Sequence, residues 1–139
     1  MADGKMTQAH IAETGASAFA VTIDVSGHRL VGDEPEGAGG GNLGPAPYDM
    51  LLAALGECTA MTVRWVARQK NWPVEKVEVE LTHHKEKREG QRFPIDVFTK
   101  KVILHAPALT DEQRAKLIDA AGKCPVQRTL EGTPEIRTE

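Results

Sequence analysis

The stretch PYDMLLAALGECTAMTVRWVARQK, Pro47 to Lys70, decides how this chain folds. Its spacing predicts one long helix, roughly 36 Å at about 1.5 Å per residue. Pro47 suits the first helical position, where its missing N–H would have gone unpaired in any case. Asp49 puts a carboxylate in the first turn, where the helix dipole favours it. Asn71, followed by Trp72 and Pro73, supplies the stop. Leu51, Ala54, Leu55, Cys58, Met61, Thr62 and Trp65 form one apolar stripe, while Leu52, Val63 and Val66 carry apolar surface to other faces. A helix apolar on more than one side needs more partners than a small domain offers. It is expected at the centre of the fold and against a second copy of the chain.

Outward from this helix, short β-type alternation marks Thr7 to Glu13 and Ser17 to Val25, with Phe19, Val21, Ile23 and Val25 pointing one way. Ser26-Gly27 reads as a tight turn into a third strand, His28 to Val31. Asp33 to Gly44 is a glycine-rich loop. It lacks a Gly-Lys-Ser/Thr ending and fits no dinucleotide fingerprint, so a plain crossing is expected over a phosphate cradle. After the helix, Val77 to Arg88 and Ile95 to His105 read as a long antiparallel hairpin, with Lys85 to Arg92 at its solvated tip. Thr110 and Gln113 form a capping box for a helix that carries Ala115, Leu117, Ile118 and Ala121 inward and ends near Gly122. Pro125 to Leu130 suits one short helical turn, and Pro134 to Thr138 a last strand. The fold class is α+β.

With 139 residues the chain fits a single domain, 1–139. A net charge of −3 and 4% aromatic residues disfavour a nucleic-acid footprint, which needs a basic stripe or stacking platforms. No uninterrupted apolar run approaches a membrane span, and Met1 to His10 lacks the apolar centre of a secretion signal. The cytoplasm is the expected compartment, and two cysteines fit a reducing one.

Those cysteines, Cys58 and Cys124, are the candidates for chemistry, with two silent core thiols as the plainer alternative. Free cysteine often packs as a small hydrophobe, and Cys58 lies on an apolar stripe, so the pattern alone favours core. Cys124 precedes Pro125, a proline suited to open a short helix, whose free amides would stabilise a thiolate at its cap. An inert cysteine ending the preceding helix is an equal alternative there.

The motif GPAPYDMLLAALGECTAMT at residues 44–62, joined to Lys123-Cys124-Pro125-Val126, resembles the OsmC/Ohr superfamily of thiol-dependent peroxidases, and its OsmC-like branch in particular. The resemblance implies antiparallel sheets packed around the long helix in an intertwined homodimer. It implies an enzyme that reduces small organic hydroperoxides without a cofactor. Cys58 would attack the peroxide and become a sulfenic acid, and Cys124 would resolve it as a disulfide that an external dithiol reduces. The family places a glutamate just before the central helix and an arginine on the N-terminal strands. Here Tyr48 holds the glutamate position, with Asp49 beside it, and Arg29 or its neighbour His28 is the cation candidate. Tyr48, Leu55, Glu57 and Met61 are the expected substrate-pocket residues.

Tyr48 and Cys58 lie roughly 15 Å apart along one helix. For Tyr48 or Asp49 to act with Cys58, the groups must come from different subunits, which puts the expected site at a dimer interface. Glu57, Arg64, Arg68 and Arg128 read as a solvated surface or as charge near the thiols. His83 and His84 are adjacent on a strand, so they face opposite ways and do not chelate one metal. No metal site is expected. A non-catalytic dimer that binds a small hydrophobic or electrophilic ligand is the alternative function.

Overall fold

A computed structural model describes residues 6–139; Met1 to Lys5, the start of the segment read for a secretion signal, lie outside them. The chain divides between Leu51 and Leu52 into two compact units. Its elements are those of an α+β protein with antiparallel sheets and one long helix.

The first unit holds a three-stranded antiparallel meander: β1 (Ala9–Glu13), β2 (Val21–Val25) and β3 (His28–Gly32), in that order. Ser26 and Gly27 both have positive φ, 49° and 82°, and link Val25 directly to its partner His28. That two-residue turn matches the twist of the strands it joins. β2 begins four residues later than its alternation suggests. The Ser17 hydroxyl accepts the amides of Phe19 and Ala20, which turns the backbone aside there and leaves Phe19 51% exposed.

The glycine-rich loop contains a single 3-10 turn, Glu36–Ala38, and is organised by one carboxylate. Asp33, only 4% exposed, accepts the Ser17 hydroxyl and the amides of Glu34, Gly41 and Leu43. A phosphate would need such amides, and an internal anion has taken them.

Helix α1 runs Pro47–Gln69. Asp49 reaches back to accept the amide of Ala46, half of a capping box. At the other end Asn71 is left-handed (φ 54°) and donates to Arg68, while Trp72 donates to Ala67, a Schellman ending. α1 has the length and apolarity of a membrane span. Its inward residues are nevertheless used by the second unit's own core.

In that unit, β4 (Lys76–Glu86) and β5 (Ile95–His105) pair residue for residue from Lys76 with His105 to Glu86 with Ile95. Helix α2 (Asp111–Ala121) starts at Thr110 with the full capping box to Gln113, and α3 (Pro125–Glu131) follows at once. Val63 and Ala67 of α1 pack with Val74, Ala106, Leu109, Leu117 and Ala121.

Three expectations are corrected. The buried stripe of α1 is Leu55, Gly56, Thr59, Val63 and Ala67, while Met61 and Trp65 stand 56% and 53% exposed. Small residues decide this, because a Cβ on Gly56 would lie 2.6 Å from a methyl of Leu81 on β4. On α2, Leu117 and Ala121 are buried, but Ala115 and Ile118 are exposed. Arg114 takes inward space instead, donating to the carbonyls of Leu104 and Ala106. Finally, Pro134 to Thr138 is not a strand; residues 133–139 are exposed and irregular, with no strand edge paired to them.

Candidate active site, a pair of thiols

The two cysteines, distant in sequence, meet in the second unit. Cys58 is half-buried on α1; Cys124 is fully buried at the cap of α3. Pro125 at the first helical position fixes that geometry and leaves the following amides free to turn toward sulfur. The amide of Val126, two residues past Cys124, donates to Cys58 Sγ at 3.5 Å. Thr59, next to Cys58, has its hydroxyl 3.5 Å from Cys124 Sγ. These crossed contacts make the sulfurs neighbours, and each alters the ionisation of the other.

The pair is electrically unequal. Burial pushes the Cys58 thiol up, and Cys124 adds to this as hydrogen-bond partner and as charge; the Val126 amide pulls the other way without reversing it. Burial also pushes Cys124 up. The Thr59 hydroxyl, the Gln127 amide, Cys58 and the positive charge of Lys100 outweigh it and leave Cys124 below the ordinary thiol value. The opposite directions favour Cys124 as the charged partner, with the Cys58 S–H facing it. Such a pair titrates as one unit.

Lys100 was not among the residues singled out from the sequence, although a signal existed. Period-2 alternation on β5 puts Phe98, Lys100, Val102 and Leu104 on one face, so the lysine interrupts an apolar row. Its Nζ donates to Thr59 Oγ1 at 2.9 Å and to the Ala121 carbonyl at 2.7 Å.

The other anticipated residues are placed as follows. Leu55 is buried, one turn before Thr59, whose hydroxyl donates to the Leu55 carbonyl at 2.7 Å. Glu57 and Met61 are exposed. Arg64 donates to the Val74 carbonyl and so holds the chain leaving α1. Arg29 makes a two-pronged, exposed ion pair with Asp24 on the neighbouring strand, which holds the Asp24 carboxyl below its usual range. Tyr48 is 48% exposed in the first turn of α1, and Asp49 is engaged with Ala46. His83 and His84 do face opposite ways: His83 stacks on Phe98 and meets Asp96, whereas His84 meets Glu86.

An α+β chain with one thiol on a long helix and a second at a Cys-Pro cap beside it is a dithiol protein by construction. The chain belongs to the OsmC family: the family model described as OsmC-like protein matches residues 39–139. Solved structures agree on the fold. An OsmC-like protein from Mycoplasma pneumoniae is 20% identical, with 94% of this chain and 90% of that one covered and a TM-score of 0.77. A Legionella pneumophila protein described as an organic hydroperoxide resistance protein OsmC and predicted redox protein is 15% identical over 94% and 93%, with a TM-score of 0.69. The organic hydroperoxide resistance protein OhrB of Bacillus subtilis is 20% identical over 92% of each chain, with a TM-score of 0.64. No curated protein is significantly similar to the chain.

Proposed function

We propose that the protein is a thiol-dependent peroxidase that reduces small organic hydroperoxides in the cytoplasm, working as a homodimer with an external dithiol. What supports this reading is the meeting of Cys58 and Cys124 in one place. Cys58 is the more accessible thiol and the peroxidatic one. It hands its proton to the Cys124 thiolate and attacks the terminal peroxide oxygen. The O–O bond breaks, the alkoxide takes that proton back from Cys124 and leaves as the alcohol, and Cys58 becomes a sulfenic acid while Cys124 is again a thiolate. The Cys124 thiolate then attacks the Cys58 sulfur. The S–O bond breaks, the leaving hydroxide takes a proton from solvent and departs as water, and a disulfide forms before further oxidation of Cys58. An external dithiol returns both thiols and is itself oxidised to a disulfide.

Tyr48, Leu55, Glu57 and Met61 are the proposed pocket residues, with Asp49 and Arg29 proposed as polar groups of the dimeric site. The test is consumption of cumene hydroperoxide with dithiothreitol or dihydrolipoamide as reductant. Wild type turns over, Cys58→Ser loses at least about a hundredfold, and Cys124→Ser consumes one peroxide per chain and then slows. No turnover by the wild type, or full activity in Cys58→Ser, removes the proposal.

One observation favours a second reading, a weakly active dimer that binds a hydrophobic or electrophilic ligand. The Cys58 thiol is pushed up rather than down. That reading predicts stoichiometric ligand binding without peroxide turnover in the same assay.

A further inference from the structure

Lys100 is the unexplained cation of the thiol site. It projects from the apolar face of β5, where an unpaired charge is costly. Among the described residues it has no carboxylate partner; its contacts are one hydroxyl and one carbonyl. A half-buried ammonium so placed calls for an anion, and the group one atom beyond its hydroxyl contact is the Cys124 sulfur.

We propose that Lys100, acting through the Thr59 hydroxyl, is a positioning residue that readies Cys124 as the attacking thiolate in the disulfide-closing step. The inference rests on the peroxidase reading of the same two thiols and adds a residue outside it. Thr59 has a single hydroxyl hydrogen and three neighbours. While Cys124 is protonated, its S–H points at Thr59 Oγ1, and the Thr59 hydrogen goes to the Leu55 carbonyl. When Cys124 loses its proton, the Thr59 hydrogen turns to the sulfur, and Lys100, already donating to Thr59 Oγ1, supports that orientation. The charge reaches Cys124 through one oxygen in a place water enters poorly, where such interactions are strengthened.

The step served is the second one. Once Cys58 is a sulfenic acid, its S–H no longer faces Cys124, and Thr59 and Lys100 are the side chains left to hold the thiolate. The titratable groups facing Cys124 are Cys58 from α1 and Lys100 from β5; Asp119 and Lys123 nearby pair with each other at the surface. Thiolate is lost as pH falls, so closure slows on the acidic side. Removing Lys100 moves that slowing to higher pH.

The experiment has two arms. In Cys58→Ser, where Cys124 is the sole thiol, thiolate ultraviolet absorbance is followed against pH, with and without Lys100→Met or Thr59→Val. Both substitutions are expected to shift the transition upward, and Lys100→Arg to shift it less. In the two-thiol protein treated with cumene hydroperoxide, closure at neutral pH is expected to fall about tenfold in Lys100→Met, the loss expected when a neighbouring opposite charge is removed. Intact mass then shows more Cys58 sulfinic acid.

An unchanged titration and an unchanged closure rate, with only a lower melting temperature, would assign Lys100 to holding the Ala121 carbonyl and overturn the inference. Should Lys100→Met fail to fold, Thr59→Val, which leaves the Ala121 contact in place, decides alone. If the wild type consumes no peroxide, the peroxidase reading falls while the titration still judges Lys100.

Discussion

Asp33 gathers one hydroxyl and the amides of Glu34, Gly41 and Leu43 around a single carboxylate, and most of the ordering of the glycine-rich loop follows from it. Burial pushes this carboxyl up, but the Ser17 hydroxyl and the three amides prevail and hold it below its usual range. With a depressed folded value, the stability it adds is present above the unfolded carboxylate value and is lost as pH falls through the folded one. Acidification through that window should free the Gly41 and Leu43 amides to exchange while those of β4 and β5 stay protected, and Asp33→Asn should produce the same loosening at neutral pH. Equal protection of the loop in Asp33→Asn would contradict this role. The sequence announced the loop through its glycines but not its organiser, since a carboxylate at a loop edge looks solvated until the backbone closes around it. The thiols divide the same way. Pro125 marked the cap at Cys124 but left a reactive and an inert thiol equally open, and Lys100, though it interrupts the apolar row of β5, gained meaning only when β4 and β5 fixed which face lies inward.

At the scale of elements, α1 was the most legible part of the chain. Pro47, Asp49 and Asn71 act locally, and local capping chemistry can be read without the fold. Its orientation could not be read, because two apolar stripes compete and the choice depends on contacts far away in sequence. Gly56 admits Leu81, and Thr59 and Ala67 are small enough for close approach, so the small-residue face turned inward. Met61 and Trp65 were left on the surface. That exposed row is the surface proposed to meet a second copy, where each large apolar side chain contributes about 1.5–3 kcal/mol on full burial. Met61→Glu with Trp65→Glu should therefore weaken self-association by at least tenfold, since about 1.4 kcal/mol is a factor of ten. Light scattering across a dilution series measures this. A wild type that stays monomeric at high concentration, or a charged double variant that still dimerises fully, removes that interface.

For the molecule as a whole, the α+β class, the meander, the long hairpin and the capped helix α2 follow from patterns that repeat within a few residues. The failed strand at Pro134 to Thr138 shows the limit: alternation proposes a strand, but a strand also needs an edge to pair with. Bringing Cys58 and Cys124 together is likewise a property of the complete fold, set by β5, α2 and the turn into α3. The most direct measurement treats the fully reduced protein with equimolar cumene hydroperoxide and maps its peptides by mass without reductant. A peptide pair joined Cys58 to Cys124 within one chain, with both free thiols gone, is the predicted result. Two thiols that still titrate, or a Cys58 that passes to sulfinic acid with Cys124 untouched, would contradict it.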